Sequence, residues 1–337
     1  NFLYLIYFNQ VLISSITVYL FYNLCKNFFN EKISLLGSLI FSIFPLMIFS
    51  CGVISSACLQ LFFYLLFFNL YLRILSNKFN YKNLLYLIFT SAFTLILRGE
   101  FLIIFLFSLI FLIFFKKKNF TYAILILFFT TMIISPYLIR NYVNTNKVHI
   151  VNVTGYALWK GNNQLAKVEG FHNSLHPKNR KAWPQIPEFE NLYEKLDKIK
   201  QDKKYEISRD QTFKKEAINN IFSDKKKYFL LYIKKIFSYF FIDLNSSIKN
   251  YYNPAHIIPI LLFSICSIPG AFIGLKRSKN PKIIYLLSMT FILIGFISIF
   301  FILPRYKISI ISSQILFSLF FFEYLIKNFK KRRSNNE

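Results

Sequence analysis

The sequence predicts a mainly α, polytopic membrane protein with about nine transmembrane helices and one extracytoplasmic insert of mixed structure. Three observations carry that prediction. Of the 337 residues, 55% are hydrophobic and 20% aromatic, with 43 Phe and only 9 Gly and 10 Pro. Uncharged runs near the length a helix needs to cross hydrocarbon, roughly 20 residues at ~1.5 Å each, recur along the chain. The cations, 41 against 15 carboxylates for a formal charge of +26, lie in a long polar stretch and, among the short gaps between runs, almost wholly in alternate ones. A water-soluble enzyme is excluded by the same composition.

Six apolar runs come first, near Phe2–Leu24, Ile33–Ser50, Ile54–Leu72, Leu84–Leu97, Phe101–Phe115 and Phe120–Ile139. The fourth and fifth are short and separated only by Arg98, Gly99 and Glu100, a spacing that fits a broken or kinked pair. Three more runs follow a long polar stretch, near His256–Leu275, Ile283–Leu303 and Ile308–Phe322. The expected division is residues 1–139 for about six N-terminal helices, 140–255 for an extracytoplasmic domain ending in an interfacial helix, and 256–337 for about three C-terminal helices and a basic tail.

Orientation follows from the rule that short loops rich in Lys and Arg stay in the cytoplasm. Alternate gaps hold Lys26 and Lys32, then Arg73, Lys78 and Lys82, then Lys116 to Lys118, then Lys276, Arg277, Lys279 and Lys282, and finally the tail from Lys327 to Arg333. That is 17 cations against the 3 in the opposite short loops, Arg98, Arg305 and Lys307. The insert therefore faces outward, from what is expected to be a bacterial inner (plasma) membrane, and the first run enters from outside. A further helix and outer loop are expected before Asn1, since the chain opens without Met and without a signal-peptide pattern.

Within residues 140–249 there are 21 cations and 11 carboxylates. A basic surface beside a bilayer suits lipid headgroups or phosphates, and nucleic acid is not expected on that side of a membrane. Residues 194–220 mix charge signs at helical spacings and read as solvated scaffold helices. Lys225–Leu244 places Lys234 and Lys235 among aromatics, as in a helix lying in the membrane interface, with a tenth span as the alternative.

Ionisable groups at the outer helix ends are the candidates for chemistry, because charge near hydrocarbon is costly and persists where it is paired or binds something. Arg98 with Glu100, Arg140 with Asn141, and Arg305 with Tyr306 all fall at that boundary. Arg is suited to a phosphate through its planar fork; as anchors that extend to the interface, the same residues need no ligand. The stretch from Gly155 through Trp159 to Asn162 and Asn163 reads either as a turn that stacks on a sugar ring or as an ordinary turn with Trp at the membrane surface.

These residues together resemble the GT-C fold membrane glycosyltransferases, glycosyltransferase family 39, in the branch of the protein O-mannosyltransferases and aminoarabinose transferases. The resemblance covers most of the chain from Gln10 onward. It rests on Arg98-Gly99-Glu100, on Ser135 to Asn141 as a "P-W-x-I-R-N" helix end, on Gly155 to Asn163 as a "G-Y-N-L-W-x-G-N-N" element, and on Arg305-Tyr306 before the last helix. Gly99 stands where the family has Pro, Ala157 where it has Asn, and Ser56-Ala57-Cys58-Leu59 where it often has Ser-Glu-Thr-Leu. The resemblance implies transfer of a sugar from a polyprenyl-phosphate donor to a lipid, glycan or protein acceptor on the outer face. It implies Arg140 and Arg305 on the phosphate, Arg98 and Glu100 on the helix ends or donor, and Trp159, Asn162 and Asn163 on the sugar or acceptor. The family's catalytic carboxylate belongs to the first outer loop, ahead of the first helix of this chain, so no catalytic residue is named.

Two other readings stay open: a transporter or flippase of lipid-linked sugars, and a catalytically inactive membrane protein. Nucleotide-driven chemistry is disfavoured, since neither GxxxxGK[ST] nor GxGxxG occurs. His172 and His176 are four apart but lack the intervening Glu of a zinc protease helix, and Cys25, Cys51, Cys58 and Cys266 show no CxxC spacing, so no metal or other cofactor is assigned. The sequons at Asn152 and Asn245 read as chance matches.

Overall fold

Each of the nine apolar runs lies largely on helix, although the run Ile283–Leu303 is helical only to Ser298 and Ile54–Leu72 only from Ala57. In the computed structural model, which describes residues 2–76, 80–115, 120–151, 153–171, 186–243, 245–246, 253–277 and 280–334, fourteen α-helices and two short 3-10 turns account for the regular structure, with no strand among the described residues. The N-terminal runs form α1 (Phe2–Cys25), the pair α2 (Glu31–Ile43) and α3 (Pro45–Gly52), α4 (Ala57–Leu75), α5 (Tyr81–Leu97), α6 (Phe101–Phe115) and α7 (Phe120–Thr145). The C-terminal runs form α12 (Pro254–Arg277), α13 (Pro281–Ser298) and α14 (Ile308–Ser334). Lys78, Lys116, Lys117, Lys118, Asn152, His172, His176 and Lys279 lie outside the described residues.

The chain is a mainly helical membrane protein: six helices (α1, α4, α7, α12, α13 and α14 with its lead-in turn) are long and apolar enough to cross a bilayer, or seven with the bent pair counted as one. Large side chains face outward along them, among them Phe8 at 60% and Tyr19 at 61% exposed on α1 and Phe272 at 62% on α12. Lipid, not water, suits such a surface. The pair α2 and α3 bends by 50°, because Pro45 has no N–H for the helical ladder and forces Phe44 into extended backbone. Helices α5 and α6 are shorter, at 17 and 15 residues. Arg140 does not close its helix: α7 runs on to Thr145, since Arg, Asn and Tyr outside hydrocarbon still tolerate helix well.

Two compact units divide the chain: Asn1–Ile134 with Ile248–Leu293 and Arg305–Glu337, and Ser135–Ser247 with Ile294–Pro304. The divisions fall a few residues before the expected 139/140 and 255/256, and the second unit also takes 294–304.

In the first unit α12 lies along α14, α1 packs on α4 and α2, and α4 on α5. Gly270 permits the α12–α14 approach, as a Cβ there would run into the Phe317 carbonyl. Tyr71 of α4 donates to the Ser108 carbonyl of α6 at 2.7 Å, and the Ser108 hydroxyl meets the Tyr285 hydroxyl of α13 at 2.7 Å. Buried polar side chains thus tie three apolar helices in one register.

The second unit contains α8 (Thr154–Gly161), α9 (Glu190–Asp197), α10 (Tyr205–Ser223) and α11 (Lys225–Phe240). A mixed insert was the sequence expectation; the regular structure among the described residues of this unit is helical, joined by turns and loops, with no strand. Residues 194–220 do supply scaffold helices, and they also supply the core, in which Leu196, Phe213 and Ala217 surround Trp159 with Phe189, Leu192 and Tyr193. Asp210 of α10 caps α8, accepting from the Gly155 N–H at 2.9 Å and the Tyr156 N–H at 2.8 Å. That satisfies two of the orphan donors at a helix start.

Candidate functional site

Four of the residues singled out in the sequence come together in the first unit. The turn joining α5 to α6 carries Arg98 and Glu100, and is closed by backbone bonds from Phe101 to the Arg98 carbonyl and from Leu102 to the Gly99 carbonyl. The 3-10 turn Pro304–Lys307, which opens α14, carries Arg305 and Tyr306. The Arg305 guanidinium lies 5.7 Å from the centre of the Tyr306 ring and bonds to its hydroxyl, which also lies in the fields of Arg98 and Glu100. Residues some two hundred positions apart in sequence thus share one polar cluster.

The cluster is held from α4. Gln60, 1% exposed, donates to Glu100 Oε1 at 3.2 Å and to the Ser309 hydroxyl at 3.1 Å. Glu100 Oε1 is 3.9 Å from Arg98 Nε, a long ion pair in which both side chains keep over a quarter of their surface exposed, so the pair itself adds little stability. Buried Arg98 Nε and Gln60 Oε1 have no hydrogen-bond partner among the described residues, an unusual condition for buried polar atoms. Behind Tyr306, Lys307 is fully buried, and His256 at the start of α12 stands within its field. Two cations, Arg98 and Arg305, and the Glu100 carboxylate therefore gather around the Tyr306 hydroxyl. Such a cluster is chemically matched to an anion that accepts several charge-assisted hydrogen bonds.

The other predicted residues belong to the second unit. Arg140 is exposed on α7, and its neighbour Asn141 donates to the His149 carbonyl at 2.8 Å, steadying the chain after the helix. The sequence left Trp159, Asn162 and Asn163 either on a turn that stacks on a sugar or on an ordinary turn with Trp at the membrane surface; the structure buries all three, with Trp159 on α8. Trp159 is 0% exposed, with Phe189 and Phe213 rings centred 5.1 and 5.0 Å away. Asn162 donates to the carbonyls of Leu158 and Ile299, both at 2.8 Å, and Asn163 to that of Trp159 at 3.1 Å.

Lys235, on the helix expected at the membrane interface, lies on the buried face of α11 with Tyr228, Leu231 and Tyr239, while Phe229, Leu230 and Phe237 face outward. Its ammonium donates to the Gly161 carbonyl at 2.7 Å and to Asn162 Oδ1 at 3.2 Å. Those partners are neutral, and burial pulls the amine from its usual range down to about 7.

Sequence reasoning missed Gln60 and Ser309. An amide inside the apolar run Ile54–Leu72, which holds Gln60 and Asn69, was the available signal. Lys307 was visible beside Arg305 but carried no assigned role. Among the described residues no group of three or more His, Cys, Asp or Glu is placed to hold a metal ion. Compared with known proteins, the chain matches no family model, no curated sequence and no solved structure.

Proposed function

We propose that this protein is a membrane glycosyltransferase that takes a sugar from a polyprenyl-phosphate donor and passes it to a lipid, glycan or protein acceptor on the outer face of a bacterial inner membrane. In this reading all nine apolar segments cross the bilayer, the bent α2–α3 pair as one and the short α5 and α6 as two, and the second unit is extracytoplasmic. The single observation that supports the chemistry best is the convergence of Arg98, Glu100 and Arg305 on Tyr306, at the helix ends that the cation asymmetry assigns to the outside.

The residues divide the work as follows. Arg305 and Arg98 grip the phosphate of the donor and stabilise the charge that grows on it as the glycosidic bond breaks. Arg140, exposed on α7 in the second unit, is a further candidate cation for an anionic substrate in this reading. Glu100, held by Gln60, positions Arg98 and offsets part of the cationic charge in the empty state. As the acceptor hydroxyl or amine attacks the anomeric carbon, its proton goes to a carboxylate, which the family resemblance places in the first outer loop. Trp159, Asn162 and Asn163 shape the insert from within, so their influence on sugar or acceptor choice is exerted through its fold.

The reading is tested by binding of polyprenyl phosphate, the product that leaves with the charge. The full chain in phosphatidylcholine nanodiscs should bind it, and Arg305→Gln should weaken binding by about tenfold, the loss of one strong charge-assisted contact. Equal binding by the variant and the parent protein would remove Arg305 from the phosphate.

A further inference from the structure

A second cationic site lies in the first unit, among elements that the donor chemistry does not use. The end of α1 and its following turn, the last turn of α4, the first turn of α5 and the first turn of α13 enclose a cleft of about 440 Å³, within the size range of small-ligand sites. Lys26, Arg73 and Lys282 line it together with the amides of Asn23, Asn69 and Asn83, and no carboxylate is among the lining residues.

Cations at helix C-termini ordinarily offset the helix dipole, and that explanation covers little here. The last carbonyls of α1 already accept from the N–H groups of Lys26, Asn27 and Phe28, and those of α4 from the N–H of Ser76. Lys282 sits in the first turn of α13, the helix end where a cation is disfavoured. It is nonetheless fixed there, donating to Asn27 Oδ1 at 2.8 Å, while Asn27 spends its own N–H groups on the Asn23 and Leu24 carbonyls at 3.0 and 3.3 Å. Asn83 likewise comes from the first turn of α5, so the first turns of two long helices contribute to the cleft, each with one N–H capped, by Asn80 and Asn280. The Arg73 guanidinium makes no hydrogen bond or ion pair among the described residues. Three cations, Lys26 and Arg73 exposed and Lys282 half-buried, thus line one cleft, and an anion bound there is attracted by all three.

We propose that this cleft binds a phosphate-bearing anion, with Arg73 supplying the planar fork, Lys26 and Lys282 the flanking charge, and the amides of Asn23 and Asn83 the neutral donors; the Asn69 N–H groups are spent on the Leu20 and Leu65 carbonyls. The cation asymmetry assigns this helix end to the cytoplasmic side, where phospholipid headgroups and soluble phosphates both present that chemistry. The site does not depend on the glycosyltransferase reading.

The test uses the full chain in nanodiscs of phosphatidylcholine and phosphatidylglycerol, with retained lipid read by native mass spectrometry, and in parallel titrates inorganic phosphate into lipid-free detergent micelles by calorimetry. The parent protein should retain phosphatidylglycerol in preference to phosphatidylcholine, and Arg73→Gln with Lys282→Gln should lower that retention by about tenfold or more. Lys225→Gln with Lys226→Gln, which removes the same charge from exposed positions of α11, should leave it unchanged. If the double variant fails to fold, Arg73→Lys against Arg73→Gln decides, since only the first keeps the charge. Phosphate binding that the cleft substitutions weaken, without lipid preference, assigns the site to a soluble phosphate. Equal retention by parent and cleft variants, or neither lipid preference nor phosphate binding, overturns the proposal.

Discussion

Gln60 and Glu100, on α4 and on the α5–α6 turn, meet at 3.2 Å across forty positions of sequence. The amide reaches Ser309 from the same nitrogen, so one buried side chain sets the spacing between the turn that holds Arg98 and the helix that follows Arg305. Replacing Gln60 by Leu keeps the volume and removes both bonds, leaving Glu100 and Ser309 without that donor. The expected loss is about 1–3 kcal/mol of stability, seen as a lower melting temperature in detergent. A melt that superposes on the parent protein's shows that Gln60 does not hold the cluster.

Lys235 makes the second unit sensitive to pH. Its amine titrates at about 7 in the folded chain and near 10.4 when unfolded. Between those values the unfolded chain binds more protons, so stability rises with pH across that window. Below about 7 both states are charged and the full cost of burying the ammonium is felt. Denaturant midpoints followed from pH 6.5 to 9.5 should climb for the parent protein and climb less for Lys235→Met. Parallel curves for the two would show that the ammonium is not desolvated.

Asp210 holds the start of α8 through two backbone N–H groups. Asp210→Ala should cost about 1–2 kcal/mol, the usual value of a lost helix cap, and should speed amide exchange across Thr154–Gly161. Unchanged exchange there would mean that packing of Trp159 alone fixes the helix.

Gly270 sits where α12 crosses the Phe317 carbonyl of α14. Gly270→Val forces the helices apart and should destabilise the first unit by a few kcal/mol. Gly52, with open space around the position of a Cβ, is the matched control, and Gly52→Ala should melt close to the parent protein.

The apolar segments were legible because lipid imposes a length and a composition on each helix, independent of partners. The bend at Pro45 was hidden by the continuity of the run Ile33–Ser50, in which Pro is also apolar. Arg98, Glu100, Arg305 and Tyr306 were legible as candidates from their place at helix ends; their convergence was not, since it depends on the packing of α4, α5 and α14. Trp159 was misplaced for the opposite reason. Its immediate neighbours read as a turn, and the rings that bury it, Phe189 and Phe213, lie 30 and 54 residues further on. Lys235 followed the same pattern: a cation among aromatics reads as interfacial, and only the Gly161 carbonyl and Asn162 reveal that it is enclosed.

The most direct measurement of the central claim is the fate of a polyprenyl-phosphate sugar labelled in its sugar and given to the full chain in proteoliposomes. The account predicts that the label leaves the polyprenyl phosphate and appears on an acceptor, and that Arg98→Gln with Arg305→Gln reduces this by at least about a hundredfold, one tenfold step for each phosphate contact. Label that crosses the bilayer still attached to its polyprenyl phosphate, or cleavage that the double substitution leaves intact, contradicts it.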